Sequence, residues 1–271
     1  FPMKIKKLDH LSKIYNEYDV FLIDLWGVMH NGIKLNTSAI NTVKKLEDKG
    51  KRIIFLTNAP RPTEKVIKFL KKLKMEEKLL KNVVTSGQAA LNSFKKKKFG
   101  EKFYHLGPQR DDSLFFHIKK DKTVIEKCDF ILCTGLFDEE ENLKYYEDLL
   151  KDFTHKKLVC TNPDLTVHRG GTEEYCAGKI AEIFEGLGGE AIYFGKPYKE
   201  VYLSCLDMNQ KTLVIGDNLK TDIKGANSMN LDSIFITGGI HKSKINSEEG
   251  LEELLKKHNV SANYFQKELT W

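Results

Sequence analysis

The run Val20-Phe21-Leu22-Ile23 constrains this chain more than any other stretch. Four bulky apolar residues without polar alternation have the composition of a strand buried on both faces, the habit of parallel sheets covered by helices. The run stops at one carboxylate, Asp24, with a glycine at position 27. In an open α/β sheet the carboxyl ends of the strands face the ligand crevice, so Asp24 stands where chemistry is done. Taken alone, an Asp there is an ordinary loop cap. It becomes a candidate catalytic group only if other strands end in partners for it.

Those other strands can be read along the chain. Residues 4–18 resemble an amphipathic helix ahead of the strand at 20–24. Asn36 or Thr37 can cap a helix over roughly 38–49 that closes at Gly50. Arg52 to Leu56 is a second buried strand, and Pro60-Arg61-Pro62-Thr63 opens a helix to about Leu73. Val83-Val84 makes a third strand ending at Thr85-Ser86, and a helix follows from Gly87 to about Phe94. This βα alternation predicts a parallel sheet with right-handed crossovers.

The texture then changes, with short strands at 102–106, 129–133 and 157–161 and helices near 139–151 and 173–187. Gly186-Leu187-Gly188-Gly189 punctuates the end of this region. The first pattern resumes with strands at 192–194, 212–215 and 233–237, and helices after Pro197, near 220–228 and near 248–257. The expected fold is α/β: a doubly wound, Rossmann-like parallel-sheet core from residues 1–87 and 189–271, with an α/β cap domain inserted over residues 88–188.

The chain has 271 residues and a formal net charge of +6. The surplus comes from Lys scattered through helical segments, densest at Lys95-Lys96-Lys97-Lys98, with no aromatic interleaving. That is a solvated surface rather than a nucleic-acid site. Cys128, Cys133, Cys160, Cys176 and Cys205 form no CxxC pair and fall mostly in apolar runs, which predicts free thiols in a reducing compartment. No apolar run reaches membrane-spanning length and no signal peptide is visible, so a cytoplasmic protein without membrane or nucleic-acid partners is expected.

Asp24, Thr57-Asn58, Lys196, and Asp217 with Asp222 each lie at or just after the carboxyl end of an expected strand. In a doubly wound sheet such ends converge on one crevice. Three carboxylates, a hydroxyl and an ammonium make a phosphate-plus-magnesium site. Mg²⁺ prefers carboxylate and carbonyl oxygens and keeps several waters. Thr57 and the amide of Asn58 can hydrogen-bond a phosphoryl oxygen, and Lys196 can offset charge on nucleophile and phosphate.

Asp24-Leu25-Trp26-Gly27-Val28, Leu56-Thr57-Asn58, Gly195-Lys196-Pro197 and Gly216-Asp217-Asn218-Leu219-Lys220-Thr221-Asp222 resemble the four motifs of the haloacid dehalogenase superfamily. Their order and spacing are similar to subclass IIA, relatives of bacterial nucleotide, p-nitrophenyl and pyridoxal phosphatases. Thr161-Asn162-Pro163-Asp164 resembles that subclass's cap motif, and Thr85-Ser86-Gly87 its segment leading into the C2-type cap. The resemblance implies a Mg²⁺-dependent phosphohydrolase of small phosphorylated metabolites, with Asp24 as the nucleophile that takes the phosphoryl group. It implies Mg²⁺ held by Asp24, the Trp26 backbone carbonyl and Asp217, with Asp222 as a supporting acid that orients Lys196 or metal-bound waters. Thr57 and Asn58 would hold phosphate, Lys196 neutralise charge, and Asn162 and Asp164 reach the leaving group. The resemblance leaves the oligomeric state open, with a homodimer as one option because cap-mediated dimers are common among such relatives.

Position 26 departs from the pattern. The phosphatases carry a second Asp two residues after the nucleophile, which protonates the leaving oxygen and later deprotonates the attacking water. An indole has one N–H donor, no acceptor and no titration near neutrality. Trp26 can pack or stack on substrate instead. His30 is a candidate replacement acid/base, weighed against a plain loop histidine before the Asn31-Gly32 turn. His168-Arg169-Gly170-Gly171 is either an anion-binding turn or a surface turn. Tyr145-Tyr146 and Phe115-Phe116 read as cap core, and Asp111-Asp112 as a polar turn. Two rival functions use the same residues: a phosphate- or metabolite-binding regulatory protein that has lost turnover, and phosphoryl transfer to an acceptor other than water.

Overall fold

The computed structural model of the protein describes residues 4–169 and 172–271. In chain order the strands are β1 (Lys6–Lys7), β2 (Val20–Ile23), β3 (Arg52–Thr57), β4 (Val83–Thr85), β5 (Phe103–Leu106), β6 (Phe130–Cys133), β7 (Lys157–Cys160), β8 (Thr166–Arg169), β9 (Thr172–Tyr175), β10 (Glu190–Tyr193), β11 (Thr212–Gly216), β12 (Asp232–Ile236) and β13 (Tyr264–Gln266). The α-helices are α1 (Thr37–Asp48), α2 (Thr63–Lys72), α3 (Ser86–Lys95), α4 (Leu143–Leu150), α5 (Ala177–Gly186), α6 (Lys199–Cys205), α7 (Lys224–Ser228) and α8 (Glu248–Lys257). Seven strands form a parallel sheet in the order β1-β13-β12-β11-β2-β3-β4, and four form a second parallel sheet in the order β10-β7-β6-β5. β8 and β9 make a separate antiparallel hairpin.

The chain divides into two compact units. One comprises Phe1–Thr57, Ile67–Val84 and Lys196–Trp271, the other Asn58–Val66 and Thr85–Gly195. In the first, β2 and β11 are buried along their whole length, as uninterrupted apolar runs in a central position must be. From β2 the chain moves through α1 to β3, on one side; from β11 it moves through α7 to β12, on the other. The strand order therefore reverses between β2 and β11, which is the switch point where such sheets bind ligands. α8 starts at Ser247, whose Oγ accepts the Gly250 N–H at 3.0 Å, and buries Leu251, Leu254 and Leu255 against Ile5, Leu219, Ile223 and Phe235.

The second unit has its own core, in which Ile131 and Leu158 of the sheet meet Tyr146 of α4 and Ile180, Ala181 and Phe184 of α5. The two aromatic pairs expected in this core each split: Tyr146 and Phe115 are buried while Tyr145 and Phe116 are exposed. Neighbours in sequence point to different sides, so only one of each pair can enter. All five cysteines are free thiols, and Cys128, Cys133, Cys160 and Cys176 are buried. Among the described residues no helix is long and apolar enough to cross a membrane.

Three expectations need correction. Residues 4–18 are not one helix but β1 and two short 3₁₀ turns, Leu11–Lys13 and Tyr15–Glu17. The apolar spacing is helical, but the backbone bonds elsewhere: Leu11 N–H donates to Thr270 O at 2.9 Å and Ser12 N–H to Trp271 O at 2.9 Å. The strand after Gly189 does not resume the first sheet. β10 pairs with β7 from Glu190↔Lys157 to Tyr193↔Cys160, so the chain leaves the second unit at Gly195 rather than at residue 188. Residues 58–66 also belong to that unit, tied by Thr85 Oγ1 donating to Arg61 O at 2.6 Å and by Gly87 N–H donating to Ala59 O at 3.1 Å. Of the turn His168-Arg169-Gly170-Gly171, His168 and Arg169 end β8, and Gly170-Gly171 lie outside the described residues.

Candidate active site

The in-register pairing of β2 with β11 brings Ile23 beside Ile215, and the Asp24 N–H continues the ladder to Ile215 O at 3.0 Å. The first residue past β2 is thereby held beside Gly216-Asp217 at the end of β11. Oxygens of Asp24, Asp217 and Asp222 lie within 4.8 Å of one another. Asp217 Oδ2 accepts the Ile240 N–H at 2.9 Å. Asp222 sits in the wide helical turn Leu219–Ile223, and its Oδ2 accepts the Asn218 N–H at 3.1 Å. Gly27, at φ +80°, brings its backbone so near the Asp217 carboxylate that a Cβ there would collide with it.

Lys196 ties the cluster together. Its Nζ donates to Asp24 Oδ1 at 2.8 Å, Asp222 Oδ1 at 2.7 Å and Leu56 O at 2.9 Å. All three ammonium donors thus have acceptors although the residue is only 4% exposed. Burial by itself would lower its pKa, but the carboxylates of Asp222 and Asp24 outweigh burial and hold it above the ordinary lysine range. Asp24 is raised to about 6, with burial the largest cause, the Asp217 carboxylate adding to the rise and Lys196 opposing it. Asp217 and Asp222 are raised as well, first by burial and then by carboxylate repulsion.

Three carboxylates facing one ammonium leave an excess of negative charge in a buried place, which is costly without a further cation. The donors are all hard oxygens, with no thiolate or imidazole in the cluster, and this acidic triad can hold a divalent metal such as Mg²⁺.

The other expected site residues fall in three places. Thr57 is buried at the end of β3, next to the Leu56 carbonyl that takes Lys196. Asn58, Asn162 and Asp164 gather in the second unit: Asn58 Nδ2 lies 3.4 Å from Asp164 Oδ1, and Asn162 Oδ1 accepts the Asp164 N–H at 3.1 Å. Trp26 is 59% exposed, while His30 is buried, its Nδ1 accepting the Gly32 N–H at 2.9 Å. The His30 ring packs edge-to-face on Trp26 and on Phe69, and burial lowers its pKa to about 4. Nδ1 is an acceptor, so the proton of the neutral ring is on Nε2.

Three site groups escape sequence reasoning: the Leu56 carbonyl and the N–H groups of Ile240 and Asn218. Backbone groups leave no side-chain signature. The Gly238-Gly239 pair ahead of Ile240 is a signal that a tight turn delivers its N–H there.

Comparison with known proteins agrees with this geometry. Residues 21–118 match a family described as haloacid dehalogenase-like hydrolases, and residues 193–261 match a second described as HAD-hydrolase-like. The ribonucleotide monophosphatase NagD of Escherichia coli (strain K12) is 24% identical over 242 residues, 81% of this chain and 87% of that protein. The acid sugar phosphatase of Staphylococcus aureus (strain USA300) is 24% identical over 263 residues, 93% and 96% of the two chains. A solved hydrolase of the haloacid dehalogenase-like family from Brucella suis 1330 superposes with a TM-score of 0.76 at 28% identity, covering 97% of this chain and 99% of that one. Matched in both chain segments that build the seven-stranded sheet, and with the acid–lysine cluster at its switch point, the chain belongs to the haloacid dehalogenase superfamily and has the class IIA fold.

Proposed function

We propose that the protein is a Mg²⁺-dependent phosphohydrolase that acts on a small phosphorylated metabolite through an aspartyl-phosphate at Asp24. The observation that carries this is the Lys196 ammonium, 2.8 Å from Asp24 and 2.7 Å from Asp222, beside Asp217 at the switch point of the sheet. The named activities of the ribonucleotide monophosphatase and the acid sugar phosphatase support a small phosphate ester as substrate.

In this reading a carboxylate oxygen of Asp24 attacks phosphorus. The new O–P bond forms as the bond to the leaving oxygen breaks. Lys196 fixes Oδ1 of Asp24 by its hydrogen bond, which orients the carboxylate and offsets charge as it develops. Asp222 holds Lys196 from the far side. The Thr57 hydroxyl and Asn58 amide bind phosphoryl oxygens. Mg²⁺, held by the Asp24 and Asp217 carboxylates and the Trp26 carbonyl, would supply positive charge to the phosphoryl oxygens. Water then attacks phosphorus; its O–P bond forms as the Asp24 O–P bond breaks, inorganic phosphate leaves, the water's proton passes to solvent and the Asp24 carboxylate is restored.

The test is a screen of phosphorylated metabolites with Mg²⁺, using Asp24→Asn as the blank. Turnover that survives in Asp24→Asn rejects the nucleophile. Trp26 favours one second reading, a binding protein without turnover. Stoichiometric phosphorylation of Asp24 with no steady release of phosphate would support it.

A further inference from the structure

The segment after Asp24 folds back on itself. Gly27 N–H donates to His30 O at 2.9 Å, and Asn31 N–H to Lys34 O at 3.2 Å. The Trp26 indole lies on this loop. Its six-membered ring rests on Gly32, at φ +89°, where any Cβ would collide with the ring. His30 meets it edge-to-face with centroids 5.1 Å apart, and Phe69 backs His30 at 5.5 Å. The indole is thus supported from within the loop yet 59% exposed, two residues from the carboxylate at the switch point. A large apolar side chain left open to water in this way offers a flat face for a ligand.

We infer that Trp26 is a specificity-determining platform, stacking its open face on a flat aromatic or heteroaromatic leaving group, and that the preferred substrates are aryl-type phosphate esters. The platform rests on the phosphohydrolase reading of Asp24. Two features of one residue converge on it. The π-face favours offset stacking of a ring, and the indole cannot donate an acidic proton to a departing oxygen. When the leaving P–O bond breaks, both electrons stay on that oxygen, while phosphorus gains its bond to Asp24. An aryl-oxide carries that pair without being protonated; an alkoxide does so poorly.

The chain has two tryptophans, Trp26 and Trp271. In an Asp24→Asn, Trp271→Phe protein all indole emission comes from position 26, and nothing is turned over. Titration with phenyl phosphate in Mg²⁺ should change that emission saturably, whereas glycerol phosphate should not. In the active enzyme, Trp26→Leu should raise KM for phenyl phosphate by about tenfold, the scale of one aromatic contact. The aryl-to-alkyl ratio of kcat/KM should fall by the same factor, carried by KM for the aryl ester, and Trp26→Tyr should restore that ratio. Equal emission responses to the two esters, no response at all, or a Leu variant that weakens both esters alike overturns the platform. If wild type hydrolyses no phosphate ester while the phenyl phosphate titration still saturates, the phosphohydrolase reading fails, the substrate preference falls with it, and only ring binding at Trp26 stands. If it hydrolyses esters and Trp26→Leu leaves the aryl-to-alkyl ratio unchanged, the platform fails and the hydrolase stands.

Discussion

The two parallel sheets of this chain are built alike and end differently. In the seven-stranded sheet, β2 and β11 run out into Asp24 and Asp217, and with Asp222 three carboxylates share the Lys196 ammonium. In the four-stranded sheet, β5, β6 and β7 run out into Gly107, Thr134 and Thr161. There the polar groups satisfy one another: His105 Nε2 pairs with Thr134 Oγ1 at 2.8 Å, and Thr161 N–H bonds Cys133 O at 3.1 Å. A parallel sheet supplies a crevice at its carboxyl ends, but the residues placed there decide whether it does chemistry. One sheet ends in unbalanced charge that calls for a ligand, the other in a closed hydrogen-bond network.

Removing the charge that holds the first strand ends together should have the largest effect. Lys196→Met leaves buried carboxylates without their ammonium. Turnover should fall by about 10²–10³, as for loss of one preorganised electrostatic partner. Stability at pH 8 should drop by about 3–5 kcal/mol, the cost of breaking a buried ion pair from one side. Steady-state kinetics and urea unfolding measure both, and unchanged turnover would remove Lys196 from the site.

Restoring the superfamily's acid comes next. Trp26→Asp should raise turnover of alkyl phosphates by up to about a hundredfold, within what general acid–base catalysis contributes, and that of p-nitrophenyl phosphate by less. Rapid wild-type turnover of an alkyl phosphate, with a bell-shaped pH profile that His30→Ala abolishes, would make His30 the acid and contradict this.

A smaller effect sharpens the metal side of the comparison. Asp217→Ala should weaken Mg²⁺ binding by at least about tenfold in calorimetry, since it removes a charged ligand. In metal-free protein, Asp24, Asp217 and Asp222 hold protons that the unfolded chain has released, so their contribution to stability falls as pH rises from about 4 to about 7. His30, His105 and His241, each lowered to about 4 by burial, have the opposite sign: the unfolded chain binds the protons, so they add stability as pH rises from about 4 to about 6.5. Mg²⁺ competes only with the carboxylate protons. The rise in Tm on adding Mg²⁺ should therefore grow from pH 5 to pH 8, and a pH-independent rise would place the ion elsewhere.

The smallest effect belongs to the second sheet. Thr134→Val removes the partner of His105 and should cost about 1–3 kcal/mol while changing kcat by less than about twofold. A large loss of kcat would mean that the two sets of strand ends are not as different as their hydrogen bonding implies.

Much of the first site was legible because its signal is local. An apolar run ending in Asp24, another ending at Gly216-Asp217, and Thr57-Asn58 after a third are each readable within a few residues. Strand β10 was not legible as a member of the second sheet, because Glu190–Tyr193 is equally strand-like in either sheet and its partner, β7, lies some thirty residues earlier. β13 carries no local signal, being three residues whose order comes from pairing with β12 and β1. His30 looked like a candidate acid on its residue type, and only burial and the Gly32 N–H give its environment.

The sequence by itself determined the class of fold, the superfamily resemblance and which residue types stand at the strand ends. These follow from short apolar runs and the groups that interrupt them, and neither needs long-range information. Only the tertiary structure decided that Lys196 bridges Asp24 and Asp222, 172 and 26 residues away in the chain. It also decided that the Trp26 ring lies exposed on Gly32 and that β10 leaves with the second unit. The physical reason is that strand register, backbone donors and side-chain exposure are set by contacts between distant segments, whose free energy exists only once the sheets are assembled.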